Sequence, residues 1–337
     1  MRSEALLPVL VGLLPVLTFL GTLLYLDSYK LVKLRVVIAV VACGAAAAGV
    51  TFLTNTLLTD WFAIDFNILT RYVAPFIEEL LKGLVIVVLI RTHRIGFLVD
   101  AAIFGFAAGT GFATVENLYY LHLFPDAGLG IWILRGFGTA IMHGGASAIF
   151  AVMGLAMLER DSTAGMRALL PGYFLAVVLH SAFNHFFLSP LVSTVGILVV
   201  LPPLLYSVFK RSEQAVGDWL GKGFDTDTEM LELINSDRFS DSPIGRYVHS
   251  LKDKFEGPVV ADIFCYLQLH TELALRAKGI LMMRENGFDV PLDSSTADKF
   301  TEMDYLRRSI GRTGLLALHQ KLRMSHKDLW QIYMAGK

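Results

Sequence analysis

Residues 68 to 90 read ILTRYVAPFIEELLKGLVIVVLI. The stretch is long and apolar enough to cross a hydrocarbon core, which takes about 20 such residues for roughly 30 Å. Yet its middle carries Glu78, Glu79 and Lys82. An ionisable side chain inside a membrane span costs a few kcal/mol, so such residues face a protein interior and have a partner or a task there. One stretch therefore predicts both a membrane-embedded helix bundle and a polar site within it.

The flanking sequence extends the pattern. Six further apolar segments qualify as spans: Ala5 to Leu26, Leu34 to Leu58, Leu98 to Leu121, Leu129 to Leu158, Arg167 to Leu188 and Leu191 to Phe209. Together with the first stretch they predict an all-α, polytopic bundle of about seven transmembrane helices. Pro190, Pro202 and Pro203 interrupt the last two. The bulk composition agrees: 54% of the 337 residues are hydrophobic and the mean hydropathy is +0.56.

Basic residues fall on alternate loops. Lys30, Lys33 and Arg35 follow the first span, Arg91 and Arg94 the third, Arg160 and Arg167 the fifth, and Lys210 with Arg211 the seventh. The intervening loops, 60–67, 122–128 and 189–190, hold no Lys or Arg. The positive-inside rule then predicts an N-terminus outside and a C-terminus in the cytoplasm. The first span has its positive charges after the apolar run, so it reads as a retained helix rather than a cleaved signal.

Charge also divides the chain. Residues 1–210 hold 23 Asp, Glu, Lys and Arg, and residues 211–337 hold 36. We expect a transmembrane domain over 1–210 and a soluble, cytoplasmic helical domain over 211–337. The latter has amphipathic helices at Val259 to Met283 and Phe300 to Leu322, separated by a loop at Gly287 to Ala297 around Pro291. A net charge of -1, with no basic cluster interleaved with aromatics, gives no sign of nucleic-acid binding, and none is expected. Cys43 and Cys265 have no CxxC or zinc-finger spacing. Small residues at Gly44 to Gly49 and Gly105 to Gly111 mark helices that pack closely; a phosphate loop would follow a strand.

The ionisable residues recur on successive spans. Span four carries Glu116 and Asn117, span five Arg135 and His143, and span six His180, Asn184 and His185. A rise of 1.5 Å per residue puts Glu79, Glu116, His143 and His180 at roughly 16, 8, 20 and 12 Å from the outer surface. These depths overlap, so adjacent helices can bring the groups into one layer. Glu78 and Lys82 share a helix face as an i, i+4 pair, and Glu79 projects about 100° away. Lys82 is expected to neutralise Glu78 and leave Glu79 for chemistry. His180 and Asn184 are expected to point into one space. Arg135, near a span end, is expected to snorkel, and His122 and His185 to be interfacial. Glu116, His143 and His180 make a two-histidine, one-carboxylate set that suits a catalytic zinc, with Glu79 as general base.

Four motifs in this order, EExxK at Glu78, Glu79 and Lys82, FxxxE at Phe112 to Glu116 followed by Asn117, His143 with Arg135 ahead of it, and HxxxN at His180 to Asn184, resemble the PrsW family of intramembrane proteases. That family sits in a larger group with the CAAX-processing prenyl endopeptidases and the APH-1 subunit of gamma-secretase. The prenyl endopeptidases carry a histidine where this chain has Glu116, and an arginine one residue beyond Lys82, which favours the PrsW branch. The resemblance implies an enzyme that hydrolyses peptide bonds in the membrane with Glu78, Glu79, Glu116, His143, His180 and Asn184, supported by Lys82, Asn117 and Arg135. It implies a divalent metal, a bacterial plasma membrane, and a membrane-anchored substrate of the anti-sigma-factor type, cut on its outer side. The C-terminal domain resembles only an extension able to regulate or to recruit a partner.

Two other classes stay open at this point: a non-catalytic scaffold like APH-1, and a transporter or receptor with buried carboxylates. A transporter is expected to show inverted repeats, and none is found, although Pro75 can break span three locally. On the protease reading, Glu79→Gln is expected to stop cleavage while leaving folding and insertion intact.

Overall fold

The structure is a computed structural model, and it describes residues 3–161, 165–286, 288 and 294–322. It is all-α. In chain order the helices are α1 (Ser3–Tyr25), α2 (Leu34–Phe62), α3 (Phe66–Ile68), α4 (Ala74–Arg91), α5 (Leu98–Leu123), α6 (Leu129–Ile133), α7 (Ala140–Arg160), α8 (Leu170–Asn184), α9 (Pro190–Ile234), α10 (Pro243–Ser250), α11 (Gly257–Glu285) and α12 (Ser294–Leu322). The residues fall into two compact units, Met1–Glu213 and Gln214–Lys337.

Among the described residues, six helical stretches are long and apolar enough to cross a membrane: Leu6–Tyr25, Leu34–Phe62, Leu98–Leu123, Leu129–Arg160, Gly165–Asn184 and Pro190–Ile234. The expected seventh, around α4, falls outside that set because of its charges, not its shape. Its side chains are sorted the reverse of a soluble helix. Phe76, Leu80, Leu84 and Val88, four residues apart, are 46–58% exposed, whereas Glu78, Glu79 and Lys82 are buried. A helix that turns a hydrocarbon stripe outward and its charges inward fits a lipid surround rather than water.

The centre of the first unit is α5, whose apolar window is 83% buried. Its glycines explain why. A Cβ on Gly105 would lie 2.5 Å from Ser147 O, and one on Gly109 2.2 Å from His143 O, both on α7. On the opposite side, a Cβ on Gly111 would lie 1.9 Å from Val41 O, and one on Gly44 2.0 Å from Ala108 O. The small-residue runs are thus the faces along which α5 meets α7 and α2 backbone to backbone.

Two π-helical turns interrupt the spans that carry the motifs, at Leu69–Val73 before α4 and at Leu134–Thr139 before α7. Such turns leave backbone carbonyls without their usual partners and mark functional segments. Pro75, which has no N–H to give to Arg71 O, adds to the deficit in the first turn. The span nevertheless continues through it, with Pro75 in the first turn of α4.

In the second unit, α11 and α12 pack on α10 through Val248, Ile263, Leu273, Leu306 and Ile310. Tyr247 donates to Ala317 O over 2.9 Å. Lys278 is buried, bonded to Asp227 and to Gly223 O, and lies over Trp219. α12 is kinked at Gly311, whose φ of 68° suits glycine. Of the loop expected at 287–297, residues 287 and 289–293 lie outside the described residues, and 294–297 begin α12.

Candidate active site

Four helices of the first unit each contribute to one buried polar cluster. α4 brings Glu78, Glu79 and Lys82, because its buried arc spans adjacent positions: Ala74 and Pro75, Glu78 and Glu79, Lys82 and Gly83. That arc is wide enough to turn both glutamates inward. α5 brings Glu116, α7 His143 and α8 His180.

The pairing differs from the expectation at Lys82. Its Nζ donates to Glu79 Oε1 at 2.5 Å, i to i+3, and not to Glu78. Glu79 Oε1 also lies 2.8 Å from His180 Nδ1. Glu79 is thus held between a lysine and a histidine, 2% exposed, while Glu78 Oε2 is buried with no hydrogen bond. The i, i+4 argument failed because buried partners are chosen by what the neighbouring helices present: His180 draws Glu79 into Lys82's reach.

With Nδ1 bonded to Glu79, His180 turns Nε2 toward Glu78 Oε2, 3.7 Å away. His143 Nε2 is 3.1 Å from Glu116 Oε2, and the two imidazole rings meet edge to face at 4.7 Å. Glu78, His143 and His180 each offer a ligand atom, and the three atoms lie within 4.8 Å of one another. Two ligands on one tetrahedral zinc, with bonds near 2.1 Å, sit about 3.4 Å apart. The His180 Nε2–Glu78 Oε2 separation of 3.7 Å is close to that spacing, and the whole trio lies within 4.8 Å. An orphaned buried carboxylate oxygen, two imidazoles and these separations fit a divalent cation. Glu116, the carboxylate expected in the ligand set, touches the trio through His143; the three donors that come together as a group are Glu78, His143 and His180.

The remaining motif residues hold the frame. Arg135 does not snorkel: its Nη2 is 3.1 Å from Glu116 Oε2, its Nε donates to Asn117 Oδ1 at 2.9 Å, and its guanidinium lies 3.9 Å from the Tyr120 ring centre. Asn117 donates in turn to Gly12 O on α1 at 2.8 Å. Asn184 points away from the cluster. Its Nδ2 donates to Thr70 O at 2.9 Å, and Ser181 Oγ to Arg71 O at 2.5 Å. The carbonyls that the π turn and Pro75 set free are therefore the anchors for α8, and this tie sets the position of His180 one turn earlier. His185 bonds its own helix at Ser181 O and packs edge-on against Tyr72.

Three contributors escaped the sequence reading. Phe112 packs its ring on His143 and under Lys82, and Ser181 and Tyr173 tie α8 to α3–α4, Tyr173 through Phe76 O at 2.8 Å. Phe112 stood in the FxxxE motif and Ser181 next to His180, but neither residue type announces such a role.

Among known proteins, no curated protein and no solved structure matches the chain. The profile described as PrsW family intramembrane metalloprotease matches residues 33–208, which include every residue of the cluster. With that match spanning more than half of the sequence, the chain belongs to the PrsW family of intramembrane metalloproteases, peptidases that act on proteins embedded in the bilayer.

Proposed function

We propose that this protein cuts a membrane-anchored protein near the outer half of the bilayer, with Glu78, His143 and His180 holding a divalent metal, a donor set that suits zinc. The observation that carries the reading is the convergence of those three buried donors from α4, α7 and α8, with Glu78 Oε2 left unsatisfied. When bound, the cation would supply Lewis acidity to an attacking water and to the scissile carbonyl.

The chain's own residues do the rest. Glu79 accepts a hydrogen bond from the Nδ1–H of His180 and so fixes the tautomer that presents Nε2, the carboxylate–histidine support common around metals. Lys82 balances the Glu79 charge. Glu116 is the most open of the cluster carboxylates, its side chain 24% exposed, and we assign it the general base: it takes a proton from water and returns it to the leaving amine. Arg135 and Asn117 hold it in place. Asn184 acts as a positioning residue.

One observation favours a second reading, a glutamate-type mechanism. Lys82 Nζ lies 3.1 Å from His143 Nδ1. An ammonium there can only donate, which puts the imidazole proton on Nε2, toward Glu116, and leaves His143 no lone pair for a metal. Ligation by His143 requires that contact to give way.

In this reading α4 also crosses the bilayer, its charges turned inward, which makes seven spans. With the basic loops, that supports an N-terminus outside and a cytoplasmic C-terminal unit; a bacterial plasma membrane is inferred from the family alone. A regulated anti-sigma-factor type of substrate fits an outer cut. Reconstitution with single-span substrates tests the proposal: His180→Ala and Glu78→Gln lose cleavage by at least two orders of magnitude, and wild-type rates in both would overturn it.

A further inference from the structure

Beside the cluster lies a cavity of about 320 Å³, lined by Tyr120, Phe124, Ala127, Ile131, Trp132 and Arg135. We propose that it is a specificity pocket that receives one large apolar or aromatic side chain of the substrate, about two residues from the scissile bond. The inference rests on the protease reading above and adds the chemistry of what is selected.

The lining is built from one end of α5, the loop after it, α6 and the π turn before α7. Its lining is mostly hydrocarbon, and the indole and loop donors are engaged. Trp132 Nε1 donates to Ala127 O at 3.2 Å, and Ala127 N to Phe124 O at 3.1 Å, so the loop is folded onto the indole. The Arg135 guanidinium lies over the Tyr120 ring, 3.9 Å from its centre, and pairs with Glu116 and Asn117. What the cavity offers an occupant is aromatic faces and hydrocarbon. Its volume sits at the low end of small-molecule pockets, ample for the largest apolar side chain.

Its place relative to the chemistry sets the register. Tyr120 is one turn beyond Glu116 on α5, a rise of about 6 Å. An extended substrate advances roughly 3.3 Å per residue, so a side chain two positions from the attacked carbonyl reaches the pocket. Arg135 is the shared wall: it touches Tyr120 on one side and Glu116, itself 3.1 Å from His143, on the other. Both sets of contacts can be filled by one peptide.

The test uses the full chain in proteoliposomes with a library of single-span peptides randomised one position at a time across the outer half. The wild type is expected to prefer Leu, Met, Phe or Tyr at a single position. Ala127→Trp, which fills the cavity, is expected to raise KM tenfold or more for those peptides with kcat little changed, and to shift preference to Gly or Ala. Ile131→Ala, a trimming of an exposed side chain, enlarges the cavity and is expected to shift preference toward Trp. Cleavage with the same side-chain preference in all three proteins would overturn the pocket, as would a preference restored by changing lipid chain length alone, which would mark the cavity as an acyl site. No cleavage by the wild type would instead sink the protease reading, and this inference with it.

Discussion

Replacing Gly109 with alanine tests whether close contact of α5 with α7 assembles the site. The added Cβ would stand 2.2 Å from His143 O, 2.5 Å from His143 C and 2.6 Å from Gly144 Cα. All three are backbone atoms, so no side chain can swing aside. Ordinary contact begins near 3.4 Å, so the helices must part by about 1.2 Å, beyond what a packed interior absorbs without cost. Glu116 rides on α5 and His143 on α7, now 3.1 Å apart; the same parting stretches them to about 4 Å, outside hydrogen-bonding range. A misplacement of about 1 Å in a catalytic constellation costs on the order of 100-fold in rate. The assay is the initial rate of cleavage of a single-span substrate in proteoliposomes, with circular dichroism to confirm helix content. Gly49→Ala is the comparison, since nothing lies within 4 Å of its Cβ position, and its rate is expected to match the wild type. A wild-type rate for Gly109→Ala would refute the reasoning.

Other predictions follow from the same contacts. Glu79→Gln strips the charge that Lys82 and His180 share; leaving an ammonium buried without its anion costs about 3–5 kcal/mol. Loss of cleavage is therefore expected together with a lower unfolding midpoint in detergent, contrary to the intact folding expected from sequence, and an unchanged midpoint would contradict the pairing. Asp27, in the loop after α1, is 5% exposed, and burial pushes its carboxyl from 3.8 up to about 6, against a hydrogen bond from Val32 N at 3.1 Å. The folded chain holds this proton more tightly than the unfolded one, so the stabilisation is full below about pH 3.8 and lost as pH rises through 6, on the order of 3 kcal/mol in all. Asp27→Asn is expected to equal the wild type near pH 4 and to become the more stable protein by pH 7; parallel stability curves for the two would disprove it.

The fold was legible because lipid imposes a single pattern on every span, and the basic loops mark their ends. The cluster was legible for the same reason: each ionisable group in a span needs a companion, which points Glu79, Glu116, His143 and His180 to one layer, with Glu78 read as the partner of Lys82. Roles within the cluster were less so. Helix periodicity puts Glu78 with Lys82 and His180 with Asn184, but a third helix decides which partner is taken. Asn184 turned to Thr70 O because a π turn exposed that carbonyl, and a π turn leaves no trace in residue spacing. Arg135 looked like a residue with water within reach; Glu116, Asn117 and Tyr120 hold it instead. The cavity at Tyr120 joins a helix end, a loop and a π turn, a juxtaposition that no periodicity encodes.

The most direct measurement is the metal content of the purified full chain, read by elemental analysis beside its cleavage rate. About one zinc per chain is expected, falling to a small fraction in Glu78→Gln and His180→Ala while Asn184→Ala retains it, with cleavage lost on chelation and restored by zinc. Cleavage that persists in metal-free, chelator-treated protein would contradict the account and leave Glu116 and His143 to do the chemistry alone.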